Sequence, residues 1–237
     1  MKQKLGILSL GCPRNLVDSE VIAARFNARG YSIVSDIGQA KVALVNTCAF
    51  IEDAKRESID AILDLIELKK QGKLKKIIVC GCLPQRYKDL KEQLPEVDVF
   101  VGALKQDHEP KRFALTPKHY AYLKICEGCL NNCSYCVIPG IKGKLKSLDE
   151  LTIIQKVRRL NRDKIAELNI IGQDITGFGV DASGESRLVA LLKKIISNSP
   201  DIAWIRLLYL SPERISDELL ELIAKNNRLC KYIDLPI

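Results

Sequence analysis

Residues 120–136 read YAYLKICEGCLNNCSYC, and this stretch decides the fold of the second half of the chain. Residues 120–125 predict a β-strand, and a cysteine-rich loop follows it directly. Cys129, Cys133 and Cys136 in this loop have the spacing C-x3-C-x2-C. Three soft thiolates can hold three irons of a 4Fe–4S cluster. The fourth iron would then lack a protein ligand and could bind a small molecule, as catalytic metals do.

Cys126 is the alternative fourth ligand of this loop. Together the four cysteines form two C-x2-C pairs, Cys126–Cys129 and Cys133–Cys136, and such pairs are also typical of structural zinc sites. Ordinary buried thiols are the third interpretation. The position of the loop favours iron and sulfur, because it places the metal at the carboxyl end of a strand in an alternating β/α series, where such folds keep their active sites.

Strands and helices alternate along both halves of the chain. In the first half we predict strands at residues 5–10, 42–45, 77–80 and 97–101, and helices at 16–29, 52–70 and from Pro84. In the second half we predict strands at 120–125, 168–171, 202–207 and 232–235, and helices at 149–160, 188–197 and 217–225. Asn15 or Asp18 is the predicted cap of the first helix. This alternation indicates parallel sheets that are covered on both faces.

A polar stretch with two prolines, residues 105–118, is predicted to be a linker. It separates an N-terminal domain, residues 1–104, from a second domain, residues 119–237. We predict an α/β protein with a doubly wound parallel sheet in the first domain and a partial β/α barrel in the second. Four strands do not close a barrel of eight. We therefore expect a C-terminally truncated chain whose last strand is an exposed edge.

Three cysteines of the first domain end or follow predicted strands. Cys12 lies in SLGCPRN, Cys48 in VNTCAF and Cys82 in VCGCLPQ. Because residues just past parallel strands gather at one edge of the sheet, these thiolates could hold a second cluster. Gly11 and Gly81 would let the backbone bend tightly beside it. The alternative is that these cysteines are small buried hydrophobes, which is our prediction for Cys80 and Cys230.

Composition places the chain among cytoplasmic proteins. Its 237 residues contain nine cysteines, an odd number that rules out a complete disulfide framework and indicates metal or redox chemistry in a reducing compartment. No apolar run approaches the roughly 18 residues of a membrane span. The net charge of +8 permits an acidic partner such as RNA or a ribosome, although solvated helix faces explain most of the lysines.

The loop at residues 126–140, CEGCLNNCSYCVIPG, resembles the radical S-adenosylmethionine superfamily. The resemblance implies that Cys129, Cys133 and Cys136 bind a 4Fe–4S cluster, that S-adenosyl-L-methionine chelates its open iron, and that Tyr135 contacts the adenine. Cys126 has no role in that pattern. Gln173 and Asp174, after the second strand, and Arg206, in the third, are candidate contacts to the cofactor, with loop and salt-bridge roles as equal alternatives.

The LGC, NTC and GC contexts of Cys12, Cys48 and Cys82 resemble the methylthiotransferases of that superfamily. This resemblance covers the whole chain and implies a second 4Fe–4S cluster on these three cysteines. Residues 9–20, SLGCPRNLVDSE, are most similar to the branch that modifies the β-carbon of an aspartate in a small-subunit ribosomal protein. The alternatives are the branch that modifies adenosine in tRNA, and an iron–sulfur protein with only a binding role. The family implies an electron donor such as flavodoxin or ferredoxin.

The chain departs from the family pattern after the cysteine loop. Lys142–Gly143 replaces the usual arginine and glycine, and Ser147–Leu148 lacks the arginine that usually follows the serine. Lysine keeps the charge but loses the fork that binds a carboxylate in a bidentate manner. His108 and His119 are the only histidines, and we assign neither a catalytic role.

Overall fold

Two separate parallel sheets organise the chain, one in each of two units, Met1–Leu115 and Thr116–Ile237. The structure is a computed structural model that describes residues 2–104 and 112–235. Half of the predicted linker, residues 105–111 with His108, lies outside the described residues. Of its remaining part, residues 112–115 group with the first unit. The predicted boundaries at residues 104 and 119 stay a prediction.

The first unit is a five-stranded sheet with helices in its connections. Its strands are β1 (Lys4–Ser9), β2 (Ser32–Val34), β3 (Val42–Thr47), β4 (Lys76–Gly81) and β5 (Val99–Val101). Its helices are α1 (Pro13–Ala28), α2 (Glu52–Lys70), α3 (Cys82–Arg86) and α4 (Leu90–Gln93). All pairings are parallel, and every residue of β3 is buried. A strand buried along its whole length needs cover on both faces of the sheet.

The strand order β2-β1-β3-β4-β5 makes this a doubly wound sheet. The chain goes from β1 to its neighbour on one side and then returns to build the remaining strands on the other side. The winding therefore reverses between β1 and β3. In open sheets of this kind, ligands bind in the crevice outside the carboxyl ends of the strands at that reversal.

The second unit contains the cysteine-rich loop. Its strands are β6 (Tyr120–Lys124), β7 (Cys126–Glu127), β8 (Lys146–Ser147), β9 (Glu167–Ile171) and β10 (Trp204–Leu207). Its helices are α5 (Ile138–Lys142), α6 (Glu150–Arg162), α7 (Val180–Ser183), α8 (Leu188–Ser197) and α9 (Asp217–Lys225). The order β10-β9-β6 puts consecutive parallel strands side by side, as in the winding of a β/α barrel. The short β7–β8 ribbon is antiparallel and joins the two ends of the cysteine loop.

Amphipathic helices cover the three-stranded sheet. On α6, Ile153, Val157 and Leu160 follow the helical period and are buried against the sheet. The Asp149 carboxylate caps this helix by accepting a hydrogen bond from the backbone N–H of Thr152 at 2.9 Å. The predicted α/β class is confirmed for both units, with parallel strands as expected. No helix among residues 2–104 and 112–235 has the length and apolar character needed to cross a bilayer.

Three local predictions were wrong. Strand β2 was not predicted, because three half-buried residues at a sheet edge give no periodic signal. Residues 232–235 do not form a strand. Their contacts are isolated, such as the hydrogen bond from the backbone N–H of Leu210 to the carbonyl of Asp234, and a ladder needs consecutive partners. The N-cap of α1 is Cys12 rather than Asn15 or Asp18, and no side chain caps the helix.

Asp98 fastens the amino ends of β4 and β5, and it provides a prediction about acid stability. One carboxylate oxygen accepts hydrogen bonds from the backbone N–H of Ile77 and from Lys69 Nζ, both at 2.7 Å. Burial raises the pKa of Asp98, but these two donors outweigh it, so the pKa lies below its ordinary value. A lowered folded pKa contributes stability above the unfolded pKa, about 3.9. That contribution is lost as the pH falls through the folded pKa.

We expect Asp98→Asn to lower the free energy of unfolding by about 1 kcal/mol at neutral pH, because the amide keeps the shape but weakens both hydrogen bonds. The difference from the parent chain should shrink as the pH falls through the lowered folded pKa, because the parent carboxyl becomes protonated too. Urea unfolding at several pH values measures both effects. Asp64→Asn, on the exposed side of α2, controls for the loss of one charge. A difference for Asp98→Asn that does not change with pH would contradict the prediction.

Candidate functional site

The three candidate ligands of the first unit lie just beyond the carboxyl ends of parallel strands. Cys12 follows β1 and is the N-cap of α1. Cys48 directly follows β3, and Cys82 is the first residue of α3, directly after β4. Cys12 and Cys48 therefore flank the reversal between β1 and β3. This is the crevice in which doubly wound sheets bind their ligands.

Two glycines bring the three cysteine loops into contact. A Cβ atom on Gly11 would lie 2.5 Å from Cys48 Cβ and 2.9 Å from Cys48 Sγ. Gly81 has a φ of 100°, and a Cβ there would lie 2.6 Å from the carbonyl oxygen of Thr47. The loops of Cys12 and Cys82 thus both touch the loop of Cys48, with no space for a side chain at either glycine.

The electrostatic environment separates Cys12 from Cys48. Burial alone would raise the pKa of Cys12, but Arg14, whose Nε lies 3.5 Å from the sulfur, outweighs it and leaves the pKa below its ordinary value. Burial raises the pKa of the Cys48 thiol, and the charge of the nearby Cys12 raises it further. The charge of the Cys12 thiolate therefore acts on the Cys48 thiol, as expected for two ligands of one cluster.

Asn15 is a residue of this region that sequence patterns did not find. It is buried, and its side-chain amide donates hydrogen bonds to the carbonyls of Leu10 at 3.1 Å and Thr47 at 2.8 Å. Its oxygen accepts from the thiol of Cys82, with 3.9 Å between sulfur and oxygen. The signal in the sequence was its place three residues after Cys12, which we interpreted as a helix cap.

Of the two cysteines outside these groups, Cys80 is buried, as predicted, and Cys230 is half-buried. Cys80 lies inside β4 and packs with Leu5, Val42 and Leu44 in the core that faces α1. Cys230 donates its backbone N–H to the carbonyl of Ile205 at 2.9 Å. Burial raises the pKa of its thiol, although the nearby Arg206 lowers it.

Cys129, Cys133 and Cys136 lie on the loop between β7 and α5. The backbone N–H of Cys136 donates to the carbonyl of Cys133 at 3.0 Å, and that of Cys129 donates to the carbonyl of Gly143 at 3.3 Å. Burial raises the pKa of Cys129, and negative charge on Cys136 and Cys133 raises it further, against the N–H of Asn131 that lowers it. Charge on Cys133 and on Cys136 therefore acts on the thiol of Cys129.

Cys126 is turned away from this group. It is fully buried in the core of the second unit, and its thiol points to the carbonyl of Asp174, 3.7 Å away. A Cβ on Gly172 would lie 2.5 Å from its sulfur. Burial raises the pKa of Cys126 strongly, so the thiolate needed for metal binding is disfavoured. The loop thus offers three thiols, and the fourth is held in the core.

Glu127 is the centre of a buried polar cluster beside the loop. Its carboxylate accepts from Lys124 Nζ at 2.6 Å and from Gln173 Nε2 at 2.6 Å, and Lys142 Nζ lies 3.5 Å away. Burial opposes ionisation, but the two lysines lower the pKa of Glu127 below its ordinary value. Lys142, one of the departures from the family pattern, is only 4 % exposed and serves this ion pair.

Gln173 and Asp174 are both predicted cofactor contacts, and they differ in whether their side-chain oxygens already accept hydrogen bonds. Asp174 accepts from the backbone N–H of Thr176 at 3.0 Å and from the side chain of Asn131 at 3.3 Å, and Arg214 lies 3.5 Å away. Its oxygens are thus committed to the protein. Gln173 Oε1, in contrast, is buried and has no hydrogen-bond donor among the described residues. Such a buried acceptor is unfavourable unless a ligand or water donates to it.

Tyr135 and Arg206 complete the predicted cofactor contacts. Tyr135 is 76 % exposed, and its hydroxyl interacts with Cys133, whose charge raises the pKa of Tyr135. Arg206 donates from Nε to Glu167 at 2.8 Å and lies over the ring of Tyr232. Because Glu167 begins β9, this pair lies at the amino end of the strands, away from the cysteine loop. A cofactor contact by Arg206 stays a prediction.

Residues 2–104 and 112–235 contain no three His, Cys, Asp or Glu side chains arranged to hold one metal ion. In a 4Fe–4S cluster each thiolate binds a different iron, so its ligands stand around a cube rather than around one atom. The structure brings each predicted set of three cysteines to one edge of its own sheet. Their assignment as cluster ligands stays a prediction.

Comparison with known proteins supplies the family context. Residues 4–102 match the model of the uncharacterized protein family UPF0004. The chain is similar over 100 % of its length to the ribosomal protein uS12 methylthiotransferases RimO of Citrifermentans bemidjiense and Clostridium acetobutylicum, at 42 % and 44 % identity. It covers 59 % of the length of each of these relatives.

Solved structures show the same fold at low sequence identity. The radical S-adenosylmethionine methyltransferase TsrM from Kitasatospora setae, solved with cobalamin and a 4Fe-4S cluster, matches with a TM-score of 0.58 at 11 % identity. The match covers 94 % of this chain and 59 % of TsrM. The cobalamin-dependent radical enzyme OxsB matches with a TM-score of 0.52 at 11 % identity, over 94 % of this chain and 42 % of OxsB.

The fold is a doubly wound domain followed by part of a β/α barrel, and it is shared with these solved structures. The predicted resemblance to the methylthiotransferases is confirmed over the whole chain. Within that family, the relatives that carry the resemblance are the RimO enzymes.

Proposed function

We propose that this chain is the cluster-binding part of a radical S-adenosylmethionine methylthiotransferase that modifies an aspartate of ribosomal protein uS12. The observation that carries the proposal is the arrangement of the loop thiols. Cys129, Cys133 and Cys136 lie together on the loop between β7 and α5, while the Cys126 thiol is held in the core. Three ligands leave one iron of a 4Fe–4S cluster open for a small molecule.

The donors present fit two clusters and S-adenosylmethionine. Cys129, Cys133 and Cys136 would hold one cluster, and Cys12, Cys48 and Cys82 the other. When bound, these groups supply reductive cleavage of S-adenosylmethionine and a sulfur atom for transfer. The buried Gln173 Oε1 would accept a hydrogen bond from the amino group of the cofactor. This role is supported because no described residue donates a hydrogen bond to that oxygen. Tyr135 would present its exposed ring to the adenine.

The residues around the loop would hold it in place. Asp174 ties the loop, through Asn131, to Arg214 and to the turn that follows β9. Glu127 offsets part of the positive charge of the two lysines beside it. A flavodoxin or ferredoxin would deliver the electron. The RimO relatives support a ribosomal protein as the substrate, rather than tRNA, and a cytoplasmic location.

Anaerobic reconstitution followed by iron and sulfide counting tests the two clusters. We expect about eight irons per parent chain and about four in the Cys129→Ala, Cys133→Ala, Cys136→Ala triple variant. Cys126→Ala is the matched control, and it should keep all eight because its thiol lies in the core. A loss of about four irons in Cys126→Ala would instead make that residue a ligand and contradict the open iron. About four irons in the parent and none in the triple variant would remove the methylthiotransferase interpretation.

Activity is tested separately, because the chain covers only 59 % of its relatives. The reduced, reconstituted chain should cleave S-adenosylmethionine to 5′-deoxyadenosine, and mass spectrometry should detect methylthiolation of the uS12 aspartate. Cluster binding without cleavage would identify a binding fragment. Modification of adenosine in tRNA, with no change in uS12, would move the chain to the other branch.

A further inference from the structure

One buried side chain connects all three cysteine loops of the first unit. Asn15, in the first turn of α1, is 1 % exposed. One amide group donates to the carbonyls of Leu10 and Thr47, and its oxygen accepts from the thiol of Cys82. Leu10 precedes Cys12 by two residues, and Thr47 immediately precedes Cys48. The side chain therefore makes one hydrogen bond to each of the three loops.

The position of Asn15 is itself fixed by its neighbours. Its backbone carbonyl accepts from Asn46 Nδ2 at 2.8 Å and from Ser19 Oγ at 3.0 Å. Asn46 lies in β3, so the first turn of α1 is anchored to the strand that leads to Cys48. Because the backbone of Asn15 is fixed in this way, its side-chain amide can hold the carbonyls of Leu10 and Thr47 at fixed distances.

The chemistry of the contacts calls for an asparagine. Both donors and the acceptor must belong to one short side chain, and aspartate has no donor when it is ionised. Leucine fills the same space but would leave two buried carbonyls without their hydrogen bonds, which is unfavourable. A thiolate has no proton to donate, so iron binding would end the bond from Cys82. The two bonds to the carbonyls of Leu10 and Thr47 do not depend on any thiol and would persist.

We infer that Asn15 is a positioning residue for the cluster on Cys12, Cys48 and Cys82, which it serves by tying the loops of Cys12 and Cys48 together through their backbone carbonyls. The inference rests on the proposed function, because it requires that this cluster exists. Asn15 touches no iron in this role. It acts through the backbone of the loops, in the way that outer groups orient metal ligands in other proteins.

The test uses the Cys129→Ala, Cys133→Ala, Cys136→Ala chain, whose remaining iron can lie only in the first unit. Adding Asn15→Asp places a carboxylate against the carbonyls of Leu10 and Thr47, so the loops should separate. We expect the rate of iron loss to an excess of chelator to rise by about 10- to 100-fold, the usual effect of losing an orienting group. The electron paramagnetic resonance signal of the reduced cluster should broaden or disappear in the same variant.

A matched control separates positioning from general loss of stability. Leu65→Ala removes a buried core side chain from the second half of α2, and urea unfolding reports its cost. The inference is supported if Leu65→Ala keeps its iron although it loses at least as much stability as Asn15→Asp. It is overturned if Leu65→Ala and Asn15→Asp lose iron equally fast. Should Asn15→Asp not fold, Asn15→Ala decides in its place. Parent-like iron retention in either folded Asn15 variant also overturns the inference, while a triple-alanine parent without iron defeats the proposed second cluster itself.

Discussion

Glu20→Gln is expected to lower the free energy of unfolding of the first unit by about 3–5 kcal/mol, the usual cost of breaking a buried ion pair. The carboxylate on α1 is only 2 % exposed. It pairs with both Nε and Nη2 of Arg112, the latter at 2.7 Å, and also accepts from the backbone N–H of Leu115 at 2.9 Å. Glutamine keeps the shape of the side chain but removes the buried negative charge that two nitrogens of Arg112 and the N–H of Leu115 face. Urea unfolding of the full Glu20→Gln chain beside the parent chain measures this loss of stability.

The control for this prediction replaces both partners. Because two charges removed together leave neither one unpaired, Glu20→Met with Arg112→Met should recover most of the stability lost in Glu20→Gln. Cluster binding at Cys12, Cys48 and Cys82 should not change in the double variant. A loss below about 1 kcal/mol in Glu20→Gln would mean that the pair behaves like an exposed salt bridge, against its burial.

Residue type and spacing were enough to predict two parallel sheets and to place cysteines just beyond the ends of their strands. A run of strands alternating with helices specifies parallel sheets, and cysteines that follow strands then meet at one edge. Local patterns failed where a residue acts through distant partners. The bond from Asn15 to Cys82 spans 67 residues, and the pair of Glu20 and Arg112 spans 92. Asn15 and Glu20 both lie in α1, and from the sequence alone they look like ordinary polar residues on the exposed face of a helix.

The choice among four loop cysteines also needed the structure. Spacing alone made Cys126–Cys129 and Cys133–Cys136 two equivalent pairs. Burial distinguishes them, because Cys126 lies in the core, where its thiol meets Gly172 and the carbonyl of Asp174. The direction in which a side chain points depends on the bend between β6 and β7, which no count of intervening residues contains.

Gly81→Ala is expected to destabilise the first unit by about 2–6 kcal/mol and to abolish iron binding there, from backbone strain and overpacking together. Gly81 has φ of 100° and ψ of −149°, a region that is essentially restricted to glycine. The new methyl group would overlap Asn46 Oδ1 and lie 2.6 Å from the carbonyl of Thr47. That carbonyl is the one that Asn15 holds, so the overlap would displace the loops of Cys48 and Cys82 together.

Gly30→Ala is the matched control, because Gly30 has φ of 90° and a Cβ there would meet nothing within 4 Å. It should cost only the conformational part, about 1–2 kcal/mol. Urea unfolding and iron counting on both variants, in the Cys129→Ala, Cys133→Ala, Cys136→Ala chain, separate strain from crowding. If Gly81→Ala costs no more than Gly30→Ala and keeps its iron, the Thr47 contact does not constrain the site. A larger cost with iron lost, beside a Gly30→Ala chain that keeps its iron, would place the constraint at the contact between the loops of Cys48 and Cys82.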